Sequence, residues 1–268
     1  MLLIDYLENN GYNHKKAKYL LTNELVIVND KVVRKYDYNV SSKDVIRIKK
    51  SMSNDIEIIY EDKNIIVVNK PHNLLTVATN KESEKTLYHL VSEYLKSKNK
   101  NSKVFIIHRL DKETSGLIMF AKNENIKNMY QNNWDNLAKY RGYIAVVENK
   151  MKRKNGTLSF HLKENNNHKV YVDMTGKLAI TSYKVLKENN NYSLVDIEIL
   201  TGRKNQIRVS LSEIGNPIVG DTKYNAKKYK ELLLTAYKLD IINPITNKLM
   251  SFSIDIPKSY LDLVNKKD

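Results

Sequence analysis

The sequence predicts an α+β protein with a small α/β module ahead of a larger domain. Many short apolar runs are bounded by turn residues, which is typical of buried strands, and only a few stretches keep helical spacing. Strands and helices do not alternate regularly, which argues against a parallel α/β fold. The pattern changes to short strands at residue 56, so we predict a module at 1–50, a linker at 51–55 and a main domain at 56–268.

The composition restricts the classes of function. The 268 residues include no Cys, which excludes thiol catalysis, disulfides and Cys-ligated zinc. No apolar run approaches the ~18 residues needed to span a bilayer. The first residues carry acids rather than the basic flank of a secretion signal. We therefore expect a cytoplasmic protein without a membrane partner, acting as a monomer.

The charge of the chain favours a polyanionic partner. The formal net charge is +15, and Lys or Arg side chains that neutralise phosphates release counterions. Lys and Asn are also abundant in loops, so compositional drift is an alternative. Only seven of the 45 basic residues are Arg, and four of these fall within 108–111, 139–147 and 201–209. Because a guanidinium pairs with carboxylate or phosphate through two hydrogen bonds, these three segments are candidates for a site.

Residues 1–50 predict two helices followed by a short sheet. Helical spacing is present at 2–7 and near 14–21, and a hairpin at 26–33 and a strand at 44–48 follow. The polar side of the second helix carries three lysines: Lys15, Lys16 and Lys18. This order resembles the RNA-binding module named after a small-subunit ribosomal protein, and a generic α/β cap is the alternative.

The main domain is predicted to consist largely of short strands. They are expected at 56–60, 65–70, 104–107, 117–121, 139–147, within 156–200, at 232–237 and at 251–255. Helices are expected at 86–95 and 123–137, the second with Trp134 as a core residue. The segment 201–209 is predicted to be a turn that leads into a helix or a strand.

A charged segment, His108 to Glu113, separates two of these apolar runs. An Asp at the edge of a core is costly to bury unless a cation pairs with it, so Asp111 requires a partner elsewhere in the chain. On a strand, Asp111 and Glu113 would share a face ~6.5–7 Å apart, a spacing compatible with glycoside inversion. Lys112 between them and the turn residues 114–116 after them favour a loop, so we do not predict a carboxylate pair.

Several common catalytic motifs are missing from the sequence. It contains no G-x-S-x-G elbow, no H-E-x-x-H pattern and no glycine-rich nucleotide loop, and we predict no metal site. What remains is the carboxylate of Asp111, several Arg and the ring of Tyr143, on which a base can stack for ~1–3 kcal/mol. A buried Asp paired with Arg stays ionised and can act as a nucleophile or a base. This set suits chemistry on a nucleotide taken out of its helix.

Several motifs resemble those of the RluA/RluD-type pseudouridine synthases. The most specific is His108-Arg109-Leu110-Asp111 followed by Thr114-Ser115-Gly116-Leu117. Four more segments match: 60–71 resembles the opening motif, 141–145 the K-x-Y-x-A motif, 201–208 the third motif and 216–221 the loop after it. Asn205 and Thr235 stand in positions where the family usually has His, which concerns substrate positioning more than activity.

This resemblance implies a mixed, mainly antiparallel sheet with flanking helices, and isomerisation of uridine in RNA to pseudouridine without cofactor or metal. Asp111 would promote cleavage of the N-glycosidic bond, as a nucleophile or as a base. Tyr143 would stack on the flipped base and assist loss of the carbon 5 proton, and Arg208 would pair with Asp111. Arg109 would fill the gap left by the uridine, and Ile207 would form part of the pocket wall.

The expected partner is RNA, with rRNA favoured over tRNA because of the basic N-terminal module. The remaining candidates for RNA binding are Arg141, which occupies the Lys place of its motif, Arg203, Lys15, Lys16 and Lys18. A non-catalytic RNA-binding or ribosome-assembly protein of the same fold is the alternative. The set of Asp111, Tyr143 and Arg208 favours an enzyme, because binding alone requires no carboxylate facing a phosphate-rich ligand.

Overall fold

A computed structural model describes residues 1–22, 25–41, 43–48, 56–78 and 86–266, without the side chains of Lys15 and Tyr19. The chain forms two compact units, Met1–Asp55 and Ile56–Asp268. The linker predicted at 51–55 lies outside the described residues.

The N-terminal unit consists of two helices and a three-stranded antiparallel sheet, in which the strand Val26–Val28 lies between the other two. Its elements are α1 (Leu3–Asn9), α2 (His14–Thr22), β1 (Val26–Val28), β2 (Lys31–Val32) and β3 (Ile46–Ile48). The helices bury one apolar side each, including Leu3, Leu7 and Leu21, in a single core. Asn29 and Asp30 both adopt positive φ angles, 48° and 63°, as in the two-residue turns that match the twist of a hairpin.

The second unit is built on one large sheet with helices on its faces. Its strands are β4 (Glu57–Glu61), β5 (Ile65–Lys70), β6 (Phe105–Ile106), β7 (Ser115–Ala121), β8 (Ala138–Glu148), β9 (Asn155–Glu164), β10 (Val170–Val172), β11 (Lys177–Glu188), β12 (Tyr192–Ile199), β13 (Leu234–Ile242) and β14 (Leu249–Ser253). Its helices are α3 (Leu87–Lys98), α4 (Glu124–Asn132), α5 (Trp134–Leu137), α6 (Gln206–Glu213) and α7 (Lys258–Asn265).

The strand order of this sheet is β10-β9-β11-β12-β8-β13-β7-β5-β4, with β14 beside β13 and β6 beside β7. Among the described strands, β7 and β13 are the one parallel pair, and the other pairs are antiparallel. The α+β class with a mainly antiparallel sheet is therefore confirmed. Within the described residues, no helix is both long and apolar enough to cross a membrane.

The central strands β5 and β7 are buried on both faces. Ile65 and Val67 pack in the cluster that contains residues of α4 and α5, whereas Ile66 and Val68 pack in the cluster that contains residues of α3. A strand covered on both faces has no need for polar residues at alternate positions, which explains the continuous apolar runs at 65–68 and 117–121.

The structure defines two predicted elements more closely. The single helix expected at 123–137 is divided into α4 and α5 at Asn133, whose φ of −135° lies outside the helical range. The segment 201–209, predicted to be a turn that leads into a helix or a strand, leads into α6, and Asn205 takes a left-handed conformation (φ 51°) directly before it.

Candidate active site

The candidate site is a cavity of about 330 Å³, within the ~300–1,000 Å³ typical of small-ligand pockets. Three segments converge on it: the loop between β6 and β7, the middle of β8, and the turn that leads into α6. We call it the base pocket. All seven residues predicted for a site in the main domain line it: Arg109, Asp111, Arg141, Tyr143, Arg203, Ile207 and Arg208.

Asp111 lies in a turn directly before β7. The backbone N–H of Thr114 donates to the Asp111 carbonyl (3.2 Å), and the hydroxyl of Thr76 donates to the carbonyl of the preceding Leu110 (2.9 Å). The Asp111 side chain is 28% exposed. Burial raises the pKa of its carboxyl, the charge of Arg208 opposes that rise, and the charge of Glu113 adds to it.

Gly116 allows β7, the strand that follows the Asp111 turn, to approach β13 closely. Its φ is +112°, and a Cβ there would lie 2.2 Å from the carbonyl oxygen of Ala236 on β13. A larger residue would therefore push β7 away from β13, the parallel neighbour that it meets at this point.

The guanidinium of Arg208 forms a bidentate ion pair, and its partner in that pair is Asp221. Its Nε and Nη2 each donate to an Asp221 carboxylate oxygen at 2.7 Å, and both side chains are buried. Nη1 points to the turn, 3.2 Å from Glu113 Oε2 and 4.0 Å from Asp111 Oδ2. The expected ion pair between Arg208 and Asp111 is therefore present as the longer contact. The fully buried Asp221, which the sequence analysis did not predict as a partner, takes the other two hydrogen bonds.

Tyr143 and Ile207 provide the apolar part of the pocket. Tyr143 lies on β8 and Ile207 at the start of α6, and both belong to one apolar cluster. Burial raises the pKa of Tyr143 to about 12, and the charge of Arg141 opposes this rise. The phenol is therefore protonated at neutral pH.

Comparison with known proteins assigns the family. Residues 64–213 match the RNA pseudouridylate synthase family. A protein of Mycoplasma genitalium named an uncharacterized RNA pseudouridine synthase is 32% identical over 251 residues, which cover 91% of this chain and 80% of that protein. The chain belongs to the RNA pseudouridylate synthase family.

Other relatives agree with this assignment. A ribosomal large subunit pseudouridine synthase D of Borreliella burgdorferi is 31% identical over 248 residues, covering 88% of this chain and 75% of its own. The solved structure of human RNA pseudouridylate synthase domain containing 4 matches 78% of this chain and 93% of its own, with a TM-score of 0.66 at 21% identity. The solved structure of human RNA pseudouridylate synthase domain containing 1 matches 82% of this chain and 98% of its own, with a TM-score of 0.61 at 18% identity. These structural matches support the fold.

The structure of this family member reveals a role for Lys70 that sequence analysis missed. The Lys70 side chain is fully buried at the end of β5. Its ammonium donates to three carbonyl oxygens, those of Leu74 (2.7 Å), Lys112 (2.9 Å) and Pro71 (3.2 Å), and so connects two loops. Burial lowers the pKa of Lys70 to about 8, and the charges of Glu113 and Asp111 oppose this. The available signal was a Lys in a buried strand that otherwise carries one polar residue, Asn69.

His108 precedes the Asp111 turn and connects it to β7 and α5. This supporting role was also not predicted from the sequence. The Nε2 atom of His108 accepts a hydrogen bond from the backbone N–H of Met119 (3.1 Å), and the His108 ring stacks on Trp134 with centroids 4.8 Å apart. Burial lowers the pKa of His108 to about 4, with a further contribution from Arg141. His108 is thus neutral and positions the loop.

The two departures from the family motifs are accommodated by hydrogen bonds. The Asn205 amide donates to the hydroxyl of Tyr224 (2.9 Å). The Thr235 hydroxyl contacts those of Ser115 (2.9 Å) and Tyr260 (2.8 Å). Both side chains are buried and hydrogen-bonded, so neither residue places a buried polar side chain without a partner.

The lysines predicted to bind RNA in the N-terminal unit lie on α2. Lys16 and Lys18 are exposed there, and the side chain of Lys15 is outside the described part of the structure. The expected absence of a metal and of a cofactor stays a prediction.

Proposed function

We propose that the protein isomerises specific uridines in structured RNA to pseudouridine, with Asp111 as the catalytic carboxylate. The observation that carries the proposal is the convergence of Asp111, Tyr143 and Arg208 on one base-sized cavity in a member of this family. A single carboxylate beside an aromatic ring and a fixed cation suits a flipped nucleotide.

In the proposed reaction the uracil enters the base pocket and lies against Tyr143 and Ile207, while the ribose meets Asp111. The carboxylate promotes cleavage of the bond from N1 to C1′, either by attack at C1′ or by removal of the C2′ proton. The freed uracil turns in the pocket and a bond from C5 to C1′ forms, while the bond between Asp111 and C1′ breaks or, in the alternative, the proton returns to C2′. The C5 proton then leaves and N1 takes up a proton. Atoms and electrons balance within the nucleotide, so the proposal requires no cofactor or metal.

Arg208 acts in this proposal as a fixed counter-charge. Asp221 holds its guanidinium through two hydrogen bonds, so its remaining nitrogen stays near Asp111 and stabilises the ionised carboxylate. Tyr143 acts as a stacking surface. Because the phenol of Tyr143 is protonated at neutral pH, it can accept the C5 proton only if it passes its own proton to another group.

We propose rRNA as the substrate, in preference to tRNA. One relative carries the name of a ribosomal large subunit synthase. We further propose that residues 1–50 bind RNA through Lys15, Lys16 and Lys18, that 56–268 is the catalytic domain, and that the protein acts in the cytoplasm as a monomer.

The test is tritium release from RNA labelled at carbon 5 of uridine, with Asp111→Asn as the control. We expect release by the wild type and none above background by the variant. RNA affinity should stay within about threefold, and the thermal midpoint should equal or exceed that of the wild type, because a carboxylate whose pKa is raised by burial is unfavourable when ionised. No release by either protein would indicate the non-catalytic alternative, and loss of RNA affinity in the variant would mean that Asp111 is structural.

A further inference from the structure

A second cavity, of about 200 Å³, adjoins the base pocket. We call it the flanking cavity. Six residues line both cavities: Arg109, Leu110, Asp111, Lys204, Asn205 and Arg208. Lys223, from the loop after α6, is among the residues that line the flanking cavity alone. The proposed reaction at the base leaves this cavity unused.

The flanking cavity concentrates positive charge. The ammonium of Lys223 donates to the carbonyl of His168 (3.0 Å), which holds it at the cavity edge. Burial lowers the pKa of Lys223, and the charges of Arg208 and Lys204 lower it further, whereas the charges of Glu113 and Asp111 raise it; the net shift is downward. These cations are therefore close enough to repel one another.

Few carboxylates compensate this charge. Lys204 pairs with Glu164, whereas no ion pair to a carboxylate is present for Lys223 or Arg109 within the described part of the chain. Glu113 and Asp111 line the cavity, but both face the guanidinium of Arg208. An anion entering the cavity would relieve the repulsion.

We propose that the flanking cavity binds a backbone phosphate next to the flipped uridine, through Lys204 and Lys223. This proposal rests on the proposed function. With the base in the base pocket and the ribose at Asp111, the neighbouring phosphodiester lies next to the wall that the two cavities share. A compact ammonium on a flexible stem suits a phosphate that needs charge rather than a fixed orientation.

Lys204 lies between the flanking cavity and a second basic groove, so an RNA strand could continue past it. It also lines a groove of about 430 Å³ beside β9 and β11, together with Lys163, Lys177 and Arg203. Successive phosphates of one strand could therefore meet cations on both sides of Lys204, with the nearest phosphate replacing Glu164 as its partner.

The experiment compares Lys223→Gln and Lys204→Gln with a control, Lys248→Gln. Lys248 is exposed next to the far end of β13, whose first residue, Leu234, lines the base pocket. The probe is a large-subunit rRNA transcript labelled with tritium at carbon 5 of uridine. The measurements are KM and kcat from tritium release, and the slope of log Kd against log salt concentration.

We expect each of the two site variants to raise KM about tenfold with kcat within about twofold, and to reduce the salt slope by roughly 0.7–0.9, the value for one phosphate contact. Lys248→Gln should change neither quantity. Lys223→Arg should keep the wild-type slope because it keeps the charge.

Unchanged KM and slope in both site variants, with an active wild type, would overturn the proposal. A lower kcat with an unchanged slope would also overturn it, because it would mean that the lysines position the Asp111 turn. Equal losses in Lys223→Arg and Lys223→Gln would assign the effect to the hydrogen bond with His168. A wild type that releases no tritium would refute the proposed function instead.

Discussion

Arg208 contacts three carboxylates, and its charge acts on the two that lie in the Asp111 turn. Two of its nitrogens are committed to Asp221, and the third faces Glu113 and Asp111. A buried Asp221 without this partner would be an uncompensated charge. The Arg208 guanidinium therefore stabilises the fold and at the same time places a positive charge near Asp111.

This sharing predicts that Arg208→Lys is poorly tolerated. One ammonium cannot bond both oxygens of Asp221 and also face the turn. We expect the free energy of unfolding to fall by ~1–3 kcal/mol and kcat to fall by about tenfold or more, since a small displacement of a catalytic group is costly. Denaturant unfolding and tritium release measure the two effects.

The matched control for this substitution is Arg153→Lys. Arg153 is exposed and lies outside the base pocket, so its replacement should leave stability and turnover unchanged. If Arg208→Lys behaves like this control, the two hydrogen bonds to Asp221 contribute nothing that a single charge does not.

At the scale of elements, the Asp111 turn depends on the end of β5. Lys70 connects that end to the turn through three carbonyls, and its replacement by Met would leave them without a donor. We expect Lys70→Met to lower kcat by about 100-fold, the order of loss for a misplaced catalytic group, with a smaller effect on RNA affinity. A larger loss of affinity than of kcat would contradict an anchoring role.

The same substitution has a pH dependence with a defined sign. The pKa of Lys70 is lowered to about 8 in the fold, from an ordinary value of 10.5. Between these values the unfolded chain binds more protons, so this group makes the folded state more stable as pH rises. The free energy of unfolding of the wild type, relative to that of Lys70→Met, should therefore rise as pH increases above about 8, as denaturant unfolding at a series of pH values would show.

The sequence was informative about elements wherever a local pattern decides the structure. The apolar runs at 65–68 and 117–121 predict buried strands, and both faces of those strands are covered. The base pocket residues were found because Arg is rare in this chain and the family motifs are specific. The sequence analysis predicted Asp111 as a partner of Arg208 but not Asp221, because Asp221 lies in a loop and only tertiary packing brings it to the same guanidinium. The flanking cavity depends on packing in the same way.

At the scale of the molecule, the two units suggest a division between recognition and chemistry. The main unit contains the base pocket and its own cores, and α2 of the N-terminal unit bears the exposed Lys16 and Lys18. If the N-terminal unit contributes only phosphate contacts, it should affect Kd and its salt dependence without affecting the chemical step.

A triple substitution in the full chain, Lys15, Lys16 and Lys18 to Gln, tests this division. For every phosphate that the variant no longer neutralises, the slope of log Kd against log salt should fall by roughly 0.7–0.9, and kcat at saturating RNA should stay within about twofold. The control replaces three lysines outside α2 of the same unit: Lys31, Lys35 and Lys43. A similar reduction in the control would show that binding depends on net charge alone, and a fall in kcat in the α2 variant would mean that the unit also contributes to the chemical step.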